Sequence, residues 1–124
     1  MDDVLLPKNA VQIIRGTSKT LQLSVADATG KPVDLTGSRI VMTVKSKFED
    51  TTNVFQKTTD QPTQVLITDA RGGVAQVFIN PADTQDREIK QYLFDVWVIL
   101  SSGKRYAVVP PSIFDLQPGV TVLS

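Results

Sequence analysis

The nine residues Gln91-Tyr92-Leu93-Phe94-Asp95-Val96-Trp97-Val98-Ile99 restrict this chain more than any other stretch. Alternate side chains of an extended strand point to opposite faces, so Tyr92, Phe94, Val96 and Val98 share one face and Leu93, Asp95, Trp97 and Ile99 the other. Both faces are largely apolar. A strand of that kind belongs in the middle of a sheet, with a core on one side and a loop, a second sheet or another chain on the other. Burying each large apolar side chain is worth roughly 1.5 to 3 kcal/mol, and the remaining segments, shorter or more polar, read as flanking this one.

Taken in order, Met1 to Ala10 has no strand or helix period and reads as an arm around the apolar triplet Val4, Leu5 and Leu6. Val11 to Arg15 is a short strand ending at Gly16. Leu21, Leu23 and Val25 alternate with polar residues in a half-buried strand, and Ala26 to Pro32 has the chemistry of a hairpin or sheet-changing loop. Val33 and Leu35 read as a short edge piece before the clear strand of Ile40, Met42 and Val44. Ser46 to Gln64 reads as one long excursion holding a short strand near Val54. Val65 to Thr68 and Val74 to Ile79 form a hairpin across Asp69 to Gly73, where Gly72-Gly73 supplies the positive φ of a tight turn. Asn80 to Ile89 is the one helical candidate, with Asn80 as cap, Pro81 at the first position and Asp83 at the positive end. After the central strand, Ser101 to Lys104 makes a hairpin loop into Tyr106 to Val109. Pro110-Pro111 breaks that ladder, and Ile113, Phe114 and Leu116 make a last short strand before an apolar tail. Seven or eight short strands between turn signals predict an all-β sandwich, with an arm over 1–10, the sandwich over 11–117 and a tail over 118–124. No internal repeat stands out.

Composition narrows the chemistry. The 124 residues suit one domain with a core of its own. With no Cys there are no disulfides, zinc-thiolate sites or thiol nucleophiles. With no His the commonest general base and metal ligand is missing, so an enzyme would run on carboxylates, Lys or Tyr. Thirteen basic and thirteen acidic residues balance and are scattered without blocks, which argues against nucleic acid or an anionic membrane as partner. No apolar run approaches a membrane span, and the N-terminus lacks a signal-peptide pattern.

Several pieces in order carry a resemblance. They are Ile13-Ile14-Arg15-Gly16 with Leu21, Leu23 and Val25; Asp27-Ala28-Thr29-Gly30-Lys31-Pro32-Val33-Asp34-Leu35-Thr36-Gly37; Gly73-Val74 leading to Asn80-Pro81-Ala82-Asp83-Thr84; Tyr92, Phe94, Asp95 and Val96; and Ser102-Gly103-Lys104. Together they resemble the immunoglobulin-like domain of tailed-bacteriophage virion proteins, similar to the N-terminal domain of baseplate upper proteins and to small head or neck decoration proteins. The likeness covers most of Ile13 to Leu116. The chain departs from it at Thr17, where an acid often follows Arg-Gly, at Lys90-Gln91 in place of a Gly-x pair, and at Pro110-Pro111 in place of a Gly. With the strand pattern, the expected fold class is an all-β, immunoglobulin-like or jelly-roll-like antiparallel sandwich of 7–8 short strands, with one short helix near 81–88.

The resemblance implies a non-enzymatic structural protein, made in a host cytoplasm and located in the virion. Its partners would be the major capsid protein, a fibre or a neck or tail protein, without cofactor, metal, nucleic acid or membrane. A head decoration or cement role is expected first, with a neck, tail or baseplate adaptor as the alternative. A homo-oligomer is expected, and the resemblance implies a trimer as one form.

The candidate interface residues are Val4, Leu5 and Leu6 of the arm, Leu93, Trp97 and Ile99 of the central strand, and Val120 and Val122 of the tail, because Trp is enriched where interfaces bury area and apolar arms add to neighbouring sheets. Each has a plainer reading: Leu93, Trp97 and Ile99 could be the inter-sheet core with the Tyr92 face outside, and the arms could dock on their own domain. A carbohydrate-binding module would instead use Trp97, Tyr92 or Tyr106 as a stacking platform. Asp83, Asp86 and Glu88 are the one tight acid cluster, conceivable as a calcium site or carboxylate pair, but the D-x-D-x-D-G spacing is missing and a surface charge cluster is the expectation. Gly72-Gly73 with Arg71 lacks phosphate-loop spacing.

Overall fold

The computed structural model describes residues 10–121. Eight strands follow one another as β1 (Val11–Ile14), β2 (Lys19–Ser24), β3 (Arg39–Lys45), β4 (Phe55–Thr58), β5 (Val65–Asp69), β6 (Val74–Ile79), β7 (Gln91–Ile99) and β8 (Arg105–Gln117), with a single helical turn, α1 (Pro81–Thr84), before β7. They form a five-stranded sheet in the order β1-β8-β7-β3-β4 and a three-stranded sheet in the order β2-β6-β5. All neighbours are antiparallel except β1 on β8. The split of β2, β6 and β5 from β3, β7 and β8, with β4 added beside β3, is the immunoglobulin type of sandwich, as the B, E and D strands face C, F and G. The jelly-roll alternative does not fit this order.

β7 is the middle strand of the larger sheet, flanked by β3 and β8 along its length. Its Tyr92, Phe94, Val96 and Val98 are buried, and with Ile40, Met42 and Val44 of β3 and Phe114 and Leu116 of β8 they face Val65 of β5 and Ala75, Val77 and Ile79 of β6 across the core. Phe114 packs edge-on against Phe94 and Phe55, at ring separations of 6.3 and 5.8 Å. The Tyr92 hydroxyl, at the start of β7, donates to the Glu88 carbonyl four residues upstream at 2.6 Å, the arrangement that pins the strand entry in immunoglobulin sandwiches. Burial, with Glu88 nearby, raises the Tyr92 phenol above its ordinary pKa.

Three expectations are corrected. Pro110-Pro111 does not end a strand: β8 runs through it for 13 residues, and the lost donors are absorbed as register shifts against β7 between Phe94 and Val96 and between Val96 and Trp97. The Ser112 hydroxyl closes the bulge on the Pro110 carbonyl at 2.6 Å. Val33 to Leu35 is loop, not an edge strand; Leu35 is fully buried and donates its N–H to the Ala70 carbonyl. The helix stops at Thr84 instead of running to residue 88.

The loop between β2 and β3 changes sheets through one turn device used twice, Asp27-x-Thr-Gly and Asp34-x-Thr-Gly. Each aspartate accepts the backbone N–H and the hydroxyl of the threonine two residues on, at 2.9 and 2.6 Å in both turns. Gly30 and Gly37 follow at φ 87° and 71°, a conformation that favours glycine.

Candidate interaction face

The five-stranded sheet turns one face to the core, and the alternation of β7 places Leu93, Asp95, Trp97 and Ile99 on the other. The reading that puts Trp97 in the inter-sheet core is therefore overturned. Cross-strand pairing sets what surrounds it. Trp97 lies between Val41 of β3 and Ala107 of β8, Asp95 lies beside Thr43, and Leu93 lies between Lys45 and Ile113. Trp97 is 42% exposed, while Leu93, Ile99 and Val41 are half-buried. Leu93, Asp95, Trp97 and Ile99, with Val41, Thr43 and Lys45 of β3, Phe48 and Asn53 from the β3–β4 connection and Pro111 from the bulge, line an open groove of about 420 Å3. Phe48 is 68% exposed at its lip.

The polar atoms of this face are largely satisfied within it. The Trp97 indole N–H donates to Asp95 Oδ2 at 2.9 Å, so the ring presents mainly apolar surface. Gln56 on edge strand β4 donates its side-chain amide to Thr43 Oγ1 at 3.0 Å. At one end Arg39 grips Asp60 through Nε and Nη2, the latter at 2.8 Å, and this pairing holds the Asp60 carboxyl below the usual aspartate pKa. Trp97, half-exposed beside Val41, Leu93 and Ile99 and with its N–H already bonded, offers a flat apolar area between polar neighbours.

Of the other predicted interface residues, Val120 is fully exposed just beyond β8. Val4, Leu5, Leu6 and Val122 lie outside the described residues. The structure thus brings Leu93, Trp97 and Ile99 together and adds Val41, Ile113 and Phe48, which strand alternation alone does not place beside them. The pairing of β3 and β8 on β7 was the missing information.

Of the acid cluster, Asp83 alone is drawn inward. Asp83 pairs with Lys57 Nζ at 2.6 Å, where the Lys57 side chain is 4% exposed, and accepts the Asn80 N–H at 2.7 Å. Lys57 also lies 5.7 Å from the Phe55 ring centre. Asp86 and Glu88 stay exposed, as the surface reading expects. Beside Asp83, the buried Thr84 accepts the Gly16 N–H at 2.8 Å and Arg87 donates to the Val54 carbonyl at 2.8 Å. This turn therefore stitches the β1–β2 corner, edge strand β4 and the connection between the sheets. Among the described residues no group of three acidic side chains converges as a metal site would require.

Tyr92 is buried and Tyr106, though half-exposed, is paired opposite Val98, one residue out of phase with Trp97, so the three aromatics form no common platform. No family model and no curated protein matches the chain.

Proposed function

We propose that this protein is a non-enzymatic structural component of a tailed-phage virion, in the first instance a head decoration or cement protein, that binds its neighbours through the outer face of the five-stranded sheet. The virion assignment rests on the five sequence pieces that resemble phage immunoglobulin-like domains, two of which, the Asp-x-Thr-Gly turns and the Asn80-Pro81 cap, have defined roles in the sandwich. The interface assignment rests on one observation: Trp97, half-exposed, stands beside Val41, Leu93 and Ile99 in a groove of mixed apolar and polar lining at the middle of the larger sheet. Covering that groove would stabilise neighbouring subunits by mass action, without chemistry. The terminal segments around Val4-Leu5-Leu6 and Val120-Val122 are further contact elements in this reading, and a neck, tail or baseplate adaptor is its alternative within the same class.

The test is incorporation. Particles induced from the strain that carries the gene are purified, and the chain is quantified in them by peptide mass spectrometry. The expected result is stoichiometric incorporation of the native chain. A Trp97→Arg chain that keeps its fold should be reduced at least about tenfold, a loss of roughly 1.4 kcal/mol or more in binding. Particles that lack the native chain would reject the virion assignment; particles that carry both chains equally would reject the Trp97 face.

A further inference from the structure

Edge strands carry unpaired N–H and C=O groups, and folded proteins spoil them with short length, bulges or inward charges. β1 is four residues long; β4 is four residues long and turns Lys57 inward; β5 has a register break between Ile67 and Asp69. β2 has no bulge and is longer than β1 or β4, and its inner-face charge, Lys19, stands at the first position and is exposed, so the stretch Thr20–Ser24 carries none of these devices. Its six residues run in unbroken register against β6, from Lys19 opposite Ile79 to Ser24 opposite Val74. The inner-face residues Leu21 and Leu23 are only half-buried, while Thr20, Gln22 and Ser24 on the outer face are neutral and exposed. Lys19, at the first position and exposed, is its one charge. Among the described residues, no backbone group of Lys19–Ser24 bonds to anything beyond the ladder with β6.

The sequence of β2 is complementary to itself. With an antiparallel copy centred on Gln22, Leu21 falls opposite the partner's Leu23, Thr20 opposite the partner's Ser24, and Gln22 opposite the partner's Gln22. Leucines then meet leucines on the inner face, neutral polar pairs meet on the outer, and the two Lys19 side chains lie at opposite ends. A shift to the next register of the same facing sets Leu23 against the partner's Lys19 in one direction; in the other it sets Leu21 against Val25, beyond the end of β2, whose N–H and carbonyl are already bonded to Gly73 and Val33. The chain's formal charge of zero adds no repulsion between copies. We propose that two copies pair β2 to β2 across a twofold axis at Gln22, continuing the three-stranded sheet from one copy into the other and covering Leu21 and Leu23. This contact lies on the opposite sheet from Trp97 and stands independently of the virion reading.

The chain has no native cysteine, so a single Gln22→Cys substitution tests the register. Paired residues in this geometry lie within disulfide reach. Under mild oxidation Gln22→Cys should form a covalent dimer much faster than a Leu66→Cys control on exposed β5, and light scattering of the native chain should give a dimer mass that falls to a monomer in Leu23→Lys. Cross-linking no faster than the control would overturn the proposal, also if Leu23→Lys fails to fold. So would a native monomer whose β2 amides are protected from hydrogen exchange, since another segment of the same chain would then cover the edge. A dimer lost in Trp97→Arg but kept in Leu23→Lys would place the twofold on the other sheet and overturn it equally.

Discussion

Lys57 and Asp83 show how much a single pair decides in this sandwich. Lys57 sits on the inner side of an edge strand, nearly without water, and its charge is answered by Asp83 from the turn after β6. Breaking one partner of such a pair leaves a buried charge, so Lys57→Met should destabilise the protein by about 3 kcal/mol, at the low end for buried pairs because Asp83 keeps some access to solvent. Denaturant unfolding of Lys57→Met, Asp83→Asn and the double variant checks this: the double variant should lose clearly less than the sum of the singles. Gly73 carries a second residue-scale requirement. Its φ is 72° and an added Cβ would lie 2.4 Å from the Val25 carbonyl oxygen, so Gly73→Ala should cost about 2 to 3 kcal/mol in the same assay. The need for glycine at the β5–β6 turn is readable from the sequence. The pairing of Lys57 with Asp83 is not, because the two are brought together only by tertiary structure, and a charged residue in a four-residue strand carries no local sign that it faces inward. Trp97 is an intermediate case: alternation assigns it to one face with Leu93 and Ile99, but only the position of the second sheet says that this face is outside.

At the scale of elements, strands with strong alternation were legible: β7 spans Gln91–Ile99 as expected, and β3 and the β5–β6 hairpin follow the periodic residues. The misreadings occur where local chemistry is overruled by pairing. Pro110-Pro111 reads as a strand end, yet β7 supplies enough partners on either side to carry β8 through a bulge. Val33 and Leu35 read as strand, yet the two aspartate turns on either side bend the chain, and Leu35 is buried from a loop. These turns also make the fold sensitive to acid. The Thr29 hydroxyl, then backbone N–H groups, hold the Asp27 carboxyl below its usual pKa; the Thr36 hydroxyl does the same for Asp34, and Arg39 for Asp60. A carboxyl whose folded pKa is depressed contributes stability above its unfolded value, about 3.9, and loses it as pH falls through the lower folded value. All three groups are solvent-exposed, so each contribution is small and screened. The melting temperature should fall below about pH 4, and the Asp27→Asn, Asp34→Asn, Asp60→Asn triple variant should show a shallower fall than the native chain. Parallel melting curves would contradict the assignment.

For the whole molecule, the sandwich leaves two kinds of surface on opposite sheets: a groove around Trp97 on the five-stranded sheet, and an edge at β2, charged only at Lys19, on the three-stranded one. The first suits a partner of different shape that fills the groove around Trp97; the second suits a strand like itself. In the function proposed above, such a protein would hold neighbours together by buried area, and that proposal depends on the groove. The direct measurement is hydroxyl-radical footprinting of Trp97, the chain's single tryptophan, in the free protein and in purified virions, read by peptide mass spectrometry. The account predicts rapid oxidation of Trp97 in the free protein and strong protection in the particle; equal oxidation in both would contradict it.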